Sequence, residues 1–421
     1  MTSTLPSTPA PAQSSTKLLR GPLVSDGETI DDGVLVTEGD RILYAGDAAG
    51  LAAAGLDAAA IAGAQVLELP EGHAILPGLV DLHNHGGAGG DFPGGNEASA
   101  RTAINFLHRS GTTTLLASMV TASPEDLIKG VELYADLTDE GLLAGIHLEG
   151  PFLSHDRCGA QNPAFLLEPD LELAGRLIEA GRGRITTMTY APELPGAAAL
   201  VDLLTEHGVT PSLGHTDADT ATAAASLSQA REGLGSAGFD GTSGRPTITH
   251  LFNGMPPMHH RAPGPVAACL RAAKAGHAAV ELVADNTHLD PQTVQTVFAL
   301  VGAANILLVT DSMAAAGLRD GQYMLGPSPV TVANGVATLD ATGSIAGGTA
   351  TLLDVIRHTV AAGITVADAV VSATAVPAAV LGLSDEIGSL RRGLRADAVV
   401  VDGDLVATHV MRAGSWLEPW A

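Results

Sequence analysis

Six residues of this chain have the side chains and the spacing to hold and use a metal ion. His83 and His85 stand one residue apart where the apolar run Pro77-Gly78-Leu79-Val80-Asp81-Leu82 gives out into Asn84 and a glycine turn. In a strand, residues i and i+2 face the same side, so both imidazoles can aim at one point. Imidazole nitrogens bind zinc and related ions at about 2.0–2.1 Å. Glu149, His215, His250 and Asp311 follow, each at the end of another apolar run. Imidazole and carboxylate together are the donor set of a divalent cation that activates water for hydrolysis. Each residue also has a plainer role open to it: two polar residues ending a strand at the surface, a hydrogen-bonded histidine, an aspartate capping the next helix. His147, two residues before Glu149, faces the same way and reads as an inner-layer residue rather than a ligand.

The elements that must bring these residues together are eight apolar strands. They run over Ala74–His83, Thr113–Ser118, Leu142–Glu149, Arg184–Tyr190, Thr210–His215, Thr247–Leu251, Ala278–Ala284 and Asn305–Thr310, each followed by a helical stretch. Ser123-Pro124-Glu125-Asp126 opens one helix with a cap, a proline at the first position and acidic first-turn residues. Eight such units predict an α/β fold, the (β/α)8 TIM barrel, whose strand ends converge on one face. The alternative, an open doubly wound sheet, favours a glycine-rich phosphate loop after its first strand. Here that strand ends in histidines. The chain ends read differently. Residues 17–73 and 381–421 carry short strands around turns such as Glu38-Gly39-Asp40 and Asp402-Gly403-Asp404, and pair into one small β-domain beside a barrel over 74–380. Residues 1–16, rich in Ser, Thr and Pro, read as a disordered tail and not a signal peptide.

Composition narrows the function. The chain has 421 residues, 46% hydrophobic but 3% aromatic, so Ala, Val, Leu and Ile build the core. A formal net charge of −25 excludes nucleic acid as a partner, and any anionic substrate must be held by a local cluster. No apolar run approaches ~20 residues, so no membrane span is expected. Two cysteines, Cys158 and Cys269, give no disulfide framework and suit a reducing, cytoplasmic setting. The three lysines are Lys17, outside the barrel, and Lys129 and Lys274, within helices. A carboxylated lysine bridging two metals is thereby excluded, which leaves Glu149 as the natural carboxylate bridge or ligand.

The segments PGLVDLHNHG, HLEGPF, GHTDA, THLFNGM and LVTDS resemble the amidohydrolase superfamily and, within it, the N-acetylglucosamine-6-phosphate deacetylase family. The likeness covers the chain from Leu23 to Gly414. It implies a distorted TIM barrel with a small β-sandwich from both chain ends. It implies one divalent metal on Glu149, His215 and His250, with His83 and His85 able to hold a second. Zinc is the first expectation, with iron, cobalt or manganese as alternatives. The implied reaction is hydrolysis of N-acetylglucosamine 6-phosphate to glucosamine 6-phosphate and acetate, with metal-activated water attacking the acetamide and Asp311 as general acid/base. For substrate binding it implies Ala160 and Gln161 in the loop after HLEGPF, Asn253 and Gly254, and His288 on the phosphate. It also implies Arg261 reaching in from the neighbouring subunit of a homodimer.

The sequence departs from the family at three places. Gln161 stands where the family commonly has a histidine, residues 229–246 form a Gly/Ser-rich stretch read as a flexible surface insertion, and Cys158 falls on the loop beside the site. Competing functions are deacetylation of another N-acetylated sugar phosphate or an N-acyl amino acid, and a barrel serving as a non-catalytic scaffold. The scaffold reading expects loss of ligands or of Asp311, and all six residues are present.

Overall fold

In the computed structural model, which describes residues 16–418 apart from 57 and 239–242, the apolar runs pair in chain order. The strands are β1 (Leu79–Asp81), β2 (Thr112–Val120), β3 (Gly145–Glu149), β4 (Ile185–Tyr190), β5 (Thr210–Leu213), β6 (Thr247–Ile248), β7 (Ala279–Leu282) and β8 (Ile306–Leu308). Every adjacent pair is parallel, in one eight-stranded sheet running β1 to β8. β8 returns to β1 just past the strand ends. Asp311 N–H donates to His83 O at 2.9 Å, His85 N–H donates to Ser312 O at 2.6 Å, and Asn84 bridges Ser312 in parallel. Lower down, Val80 N–H donates to Ala373 O, and the short helix Ala375–Val380 lies against β1 and β8. Its Val376, Ala378 and Val380 fill the barrel floor with Val80, Leu116, Ala279 and Leu307. A second apolar shell packs the sheet against the outer helices, through residues such as Ile146, Leu148, Val280 and Leu282.

The helices follow the sequence signals closely. Pro124–Asp139 is capped by the Ser123 side chain, which accepts from Asp126 N–H, with proline in the first turn. Glu97–Arg109 carries the same kind of cap on Asn96.

The long first strand is corrected. Ala74–Pro77 and Leu79–Asp81 are separate strands in different sheets. Pro77 pairs with Ala398, while Leu79 pairs with Thr112. Gly78 is the crossing point, where a Cβ would come within 2.1 Å of Thr113 Oγ1 and 2.7 Å of Asp397 Cβ. The chain ends form two sheets. One orders Arg41–Asp47, Gly33–Glu38, Thr16–Arg20 and Gln65–Glu68. The other orders Ser415–Leu417, Ala407–Arg412, Ala398–Val401, Ala74–Pro77, Leu23–Ser25 and Glu28–Ile30. Leu19, Leu35, Ile75, Val400 and Met411 pack between them. The first of these strands starts at buried Thr16, one residue inside the segment read as a tail; residues 1–15 lie outside the described residues.

Two further features differ from the sequence reading. The stretch 229–246 is not all loop: its first nine residues continue the helix Thr220–Ala237, with Ala230 and Leu234 buried. After β8 the chain builds a three-stranded antiparallel sheet, Gly321–Leu325, Ser328–Ala333 and Val336–Leu339, that the sequence reading did not anticipate. Among the described residues no helix is long and apolar enough to cross a membrane.

Candidate metal centre and substrate cavity

All six candidate residues meet at the C-terminal mouth of the barrel. Glu149 is the last residue of β3, and the others lie just beyond the ends of β1, β5, β6 and β8. His215, His250 and Asp311 have positive φ, 46°, 28° and 46°. Such backbone is costly for side chains with a Cβ, and it turns these three inward at the strand ends. They form two groups, one of Glu149, His215 and His250 and one of His83, His85 and Asp311. Glu149 belongs to the first and faces both. Its Oε1 lies 2.9 Å from His215 Nε2 and 3.0 Å from His250 Nε2. Its Oε2 lies 3.2 Å from His85 Nε2 and 3.8 Å from His83 Nε2. Asp311 Oδ1 closes the second group, 3.2 Å from His85 Nε2 and 3.5 Å from His83 Nε2.

The hydrogen bonds behind these rings decide which nitrogen faces inward. His85 Nδ1 donates to Ser118 O at 3.1 Å, and His215 Nδ1 donates to Arg157 O at 2.7 Å. His83 Nδ1 donates to Glu281 Oε2 at 3.0 Å. Each bond leaves the Nε2 lone pair pointing at the centre. Nε2 of His83 and His85 are 3.2 Å apart, and those of His215 and His250 are 3.1 Å apart. Lone pairs that close repel unless positive charge sits between them. The carboxylates make the same demand. Burial resists charge on every one of these groups, yet Asp311, Glu281 and Glu149 outweigh it and hold His83 well above its ordinary value, and Asp311 and Glu149 raise His85 to about 9. Burial likewise resists ionisation of Glu149 and Asp311, and the surrounding imidazoles overcome it and hold both carboxyls below their usual range. Two buried carboxylates ringed by inward Nε2 atoms are the donor chemistry of a divalent cation, so the residues fit a metal.

His147 lies beneath, with Nδ1 2.9 Å from Ser118 Oγ and Nε2 2.8 Å from Thr189 Oγ1. Both nitrogens are spent on hydroxyls, and burial beside His83 keeps the ring neutral.

Above the centre opens a cavity of about 220 Å³. Ala160, Gln161, Asn253, Gly254 and His288 all line it, together with His85, Glu149, His215, His250 and Asp311. Gln161 is fixed at both ends: its Oε1 accepts from Thr121 N–H at 2.8 Å and its Nε2 donates to Glu149 Oε2 at 2.7 Å. Gly254, at φ 60°, packs on His215, where a Cβ would come within 2.9 Å of Nδ1. His288 Nδ1 is 2.8 Å from Asp285 Oδ2, and its Nε2 faces the cavity 3.8 Å from Asp311 Oδ2. Burial opposes charge on His288, but Asp285 and Asp311 raise it above its ordinary value. Arg261 is not brought to this cavity within one chain. It is exposed on the loop before the helix Gly264–Lys274, with Nη1 2.8 Å from His260 Nε2.

Four participants were missed by the sequence reading. Glu281, 2% exposed, braces His83. Buried Asp81 accepts from Thr310 Oγ1 at 2.6 Å and from His83 N–H at 3.3 Å, and burial pushes its carboxyl up to about 7. Asp285 orients His288. The fourth is the wall formed by Leu325 and the segment Ser344–Gly347, from the unforeseen three-stranded sheet and the turn behind it. The available signal was an acidic residue in an apolar strand, as in Ala279-Val280-Glu281-Leu282.

A closed parallel barrel with such a centre at its strand ends is the framework of a metal-dependent hydrolase. The chain belongs to the amidohydrolase family, whose model matches residues 74–417, in its N-acetylglucosamine-6-phosphate deacetylase branch. It is 34% identical over 354 residues to the N-acetylglucosamine-6-phosphate deacetylase of Bacillus subtilis, covering 80% of this chain and 83% of that protein. It is 31% identical to the N-acetylgalactosamine-6-phosphate deacetylase of Escherichia coli O157:H7, over 82% of this chain and 86% of that one. Among solved structures it superposes, with TM-score 0.84 and 38% identity, on a mutant N-acetyl-D-glucosamine-6-phosphate deacetylase from Mycobacterium smegmatis in complex with N-acetyl-D-glucosamine-6-phosphate. That match covers 96% of this chain and 99% of the other.

Proposed function

We propose that this chain hydrolyses the acetamide of N-acetylglucosamine 6-phosphate, releasing acetate and glucosamine 6-phosphate. The observation that carries the reading is Glu149, whose two oxygens face two separate ligand groups on the floor of a sugar-sized cavity. Glu149, His215 and His250 would hold one divalent ion, and His83 and His85 would hold a second. Zinc suits these donors, as do iron, cobalt and manganese. A bound divalent ion supplies Lewis-acid polarisation of the acetyl carbonyl and lowers the pKa of water.

The chain's own residues do the rest. Asp311 takes the proton of the attacking water and returns it to the departing amine. Its position beside both histidines of the first strand end supports that role. Gln161, tethered to Thr121 and Glu149, presents its amide to the acetamide. Ala160, Asn253 and Gly254 shape the sugar pocket. His288, whose affinity for a proton Asp285 and Asp311 raise, meets the phosphate. Arg261, exposed on its own subunit, completes the phosphate site of a neighbour in a homodimer. We assign the enzyme to the cytoplasm, where two free thiols and a soluble sugar phosphate belong.

The Escherichia coli relative favours a second reading, in which the substrate is N-acetylgalactosamine 6-phosphate. Acetate release from both sugar phosphates and from unphosphorylated N-acetylglucosamine decides among them. We expect the glucosamine phosphate to give the highest kcat/KM. Equal turnover of phosphorylated and free sugar refutes the phosphate assignments, and preference for the galactosamine phosphate replaces the substrate.

A further inference from the structure

We propose that Glu281 is the positioning residue that makes the second cation position: by holding His83 it decides whether His83 and His85 retain an ion. The inference rests on reading the two ligand groups as two metal positions.

The case begins with a contrast among the histidines. His85 and His215 are oriented by main-chain carbonyls, those of Ser118 and Arg157. The fold supplies these whatever the side chains are. His83 is oriented by a carboxylate, Glu281 Oε2, at 3.0 Å. Glu281 is the one charged residue of β7, where Ala279, Val280 and Leu282 are fully buried and apolar. A buried carboxylate in such a strand is costly without a task. It lines no part of the substrate cavity and has no place in the proton transfers. His83 is 0% exposed, so with the fold intact Glu281, and not solvent, is the partner of its Nδ1. The same Oε2 also accepts from His250 N–H at 3.0 Å. That bond holds the main chain of His250 and leaves its ring free of Glu281, so the ring orientation that Glu281 sets is that of His83. A carboxylate behind an imidazole fixes the tautomer and strengthens Nε2 as a donor, and losing such a partner typically weakens metal affinity about 10–100-fold.

The experiment compares wild type, Glu281→Gln, Glu281→Ala, His83→Asn and the Glu281→Ala/His83→Asn double variant. Each is stripped of metal, reconstituted with zinc, and read by zinc content per subunit and by competition with a chromophoric chelator. We expect two zinc ions in the wild type. Glu281→Ala should keep one ion at unchanged affinity and bind the other about 10–100-fold more weakly. Glu281→Gln, whose amide oxygen still accepts from Nδ1 without the charge, should fall between and guard against misfolding of the alanine variant. The double variant should match His83→Asn, because Glu281 acts through that ring. Two ions bound with wild-type affinity in both Glu281 variants overturns the proposal, and so does equal weakening of both ions, which marks a general brace. A single zinc in the wild type refutes the two-position reading itself, and the proposal with it.

Discussion

Replacing Asp311 by asparagine tests the proposed chemistry most directly. The substitution keeps the volume and the main-chain bonds that seat the residue, Asp311 N–H to His83 O and Gly348 N–H to Asp311 O. What disappears is a proton acceptor whose Oδ1 lies 3.2 Å and 3.5 Å from two Nε2 atoms. Loss of a positioned general acid/base costs about 10²–10⁴ in rate, or about 3–5 kcal/mol of barrier. The other carboxylate of the cavity floor cannot stand in, since Glu149 is engaged by His85, His215, His250 and Gln161. The loss should therefore fall at or beyond the middle of that range, at least ~10³-fold. Acetate release at saturating sugar phosphate gives kcat, its concentration dependence gives KM, and thermal unfolding verifies the fold. We expect the effect in kcat, with KM within a few-fold of wild type. A variant keeping more than a tenth of wild-type kcat, or one impaired only in KM, refutes the assignment.

Three other outcomes follow from the geometry. Arg261→Ala and Asp311→Asn subunits should each be nearly inactive alone, while random mixing should restore about a quarter of wild-type activity, because half the dimers then carry one intact site; no recovery would place Arg261 in its own subunit's site, and full activity of Arg261→Ala alone would place it outside any site. His108 is buried, and burial together with the Arg412 and Arg395 guanidiniums pushes it down to about 3. The unfolded chain takes up that proton near pH ~6.5, so His108 contributes stability that is full above that pH and drains away as the pH falls towards 3. His108→Gln should flatten the pH dependence of urea unfolding between pH 7 and 4.5 by up to ~3 kcal/mol, and an unchanged slope would contradict the burial argument. Leu148→Ala, in the shell between β3 and the outer helices, should cost about 2–5 kcal/mol by denaturant unfolding; a cost under ~1 kcal/mol would mean the shell collapses around the gap.

How much of this was readable beforehand differs from element to element. The barrel strands were legible because each is an apolar run ending in a polar residue, and in a parallel barrel all those ends lie on one face. That logic brought forward His83, His85, Glu149, His215, His250 and Asp311 from positions up to 228 residues apart, between His83 and Asp311. The break at Gly78 was illegible, since Ala74–His83 is one apolar run and only the approach of Thr113 and Asp397 divides it. The Gly/Ser-rich composition hid a helix over Thr220–Ala237 whose Ala230 and Leu234 are held by packing, a tertiary override of weak propensity. Glu281 was passed over as part of a strand because its role depends on His83, 198 residues away. Arg261 was brought forward only by the resemblance, and in the single chain it stands exposed beside His260, away from the cavity.

The seam that closes the barrel bears on how the enzyme becomes active. The bonds joining the last strand to the first run through the main chains of His83, His85, Asp311 and Ser312. His83, His85 and Asp311 are thus the stitches of the closure, and they join chain segments more than two hundred residues apart. Contacts of such long range form late, after the loop-closure entropy of the intervening chain has been overcome. A chain truncated before Asp311 keeps Glu149, His215 and His250 but lacks both the seam and the carboxylate that completes the group with His83 and His85. The group at the first strand end, His83, His85 and Asp311, is therefore completed only by the closure of the barrel, whereas Glu149, His215 and His250 lie on strands away from that seam.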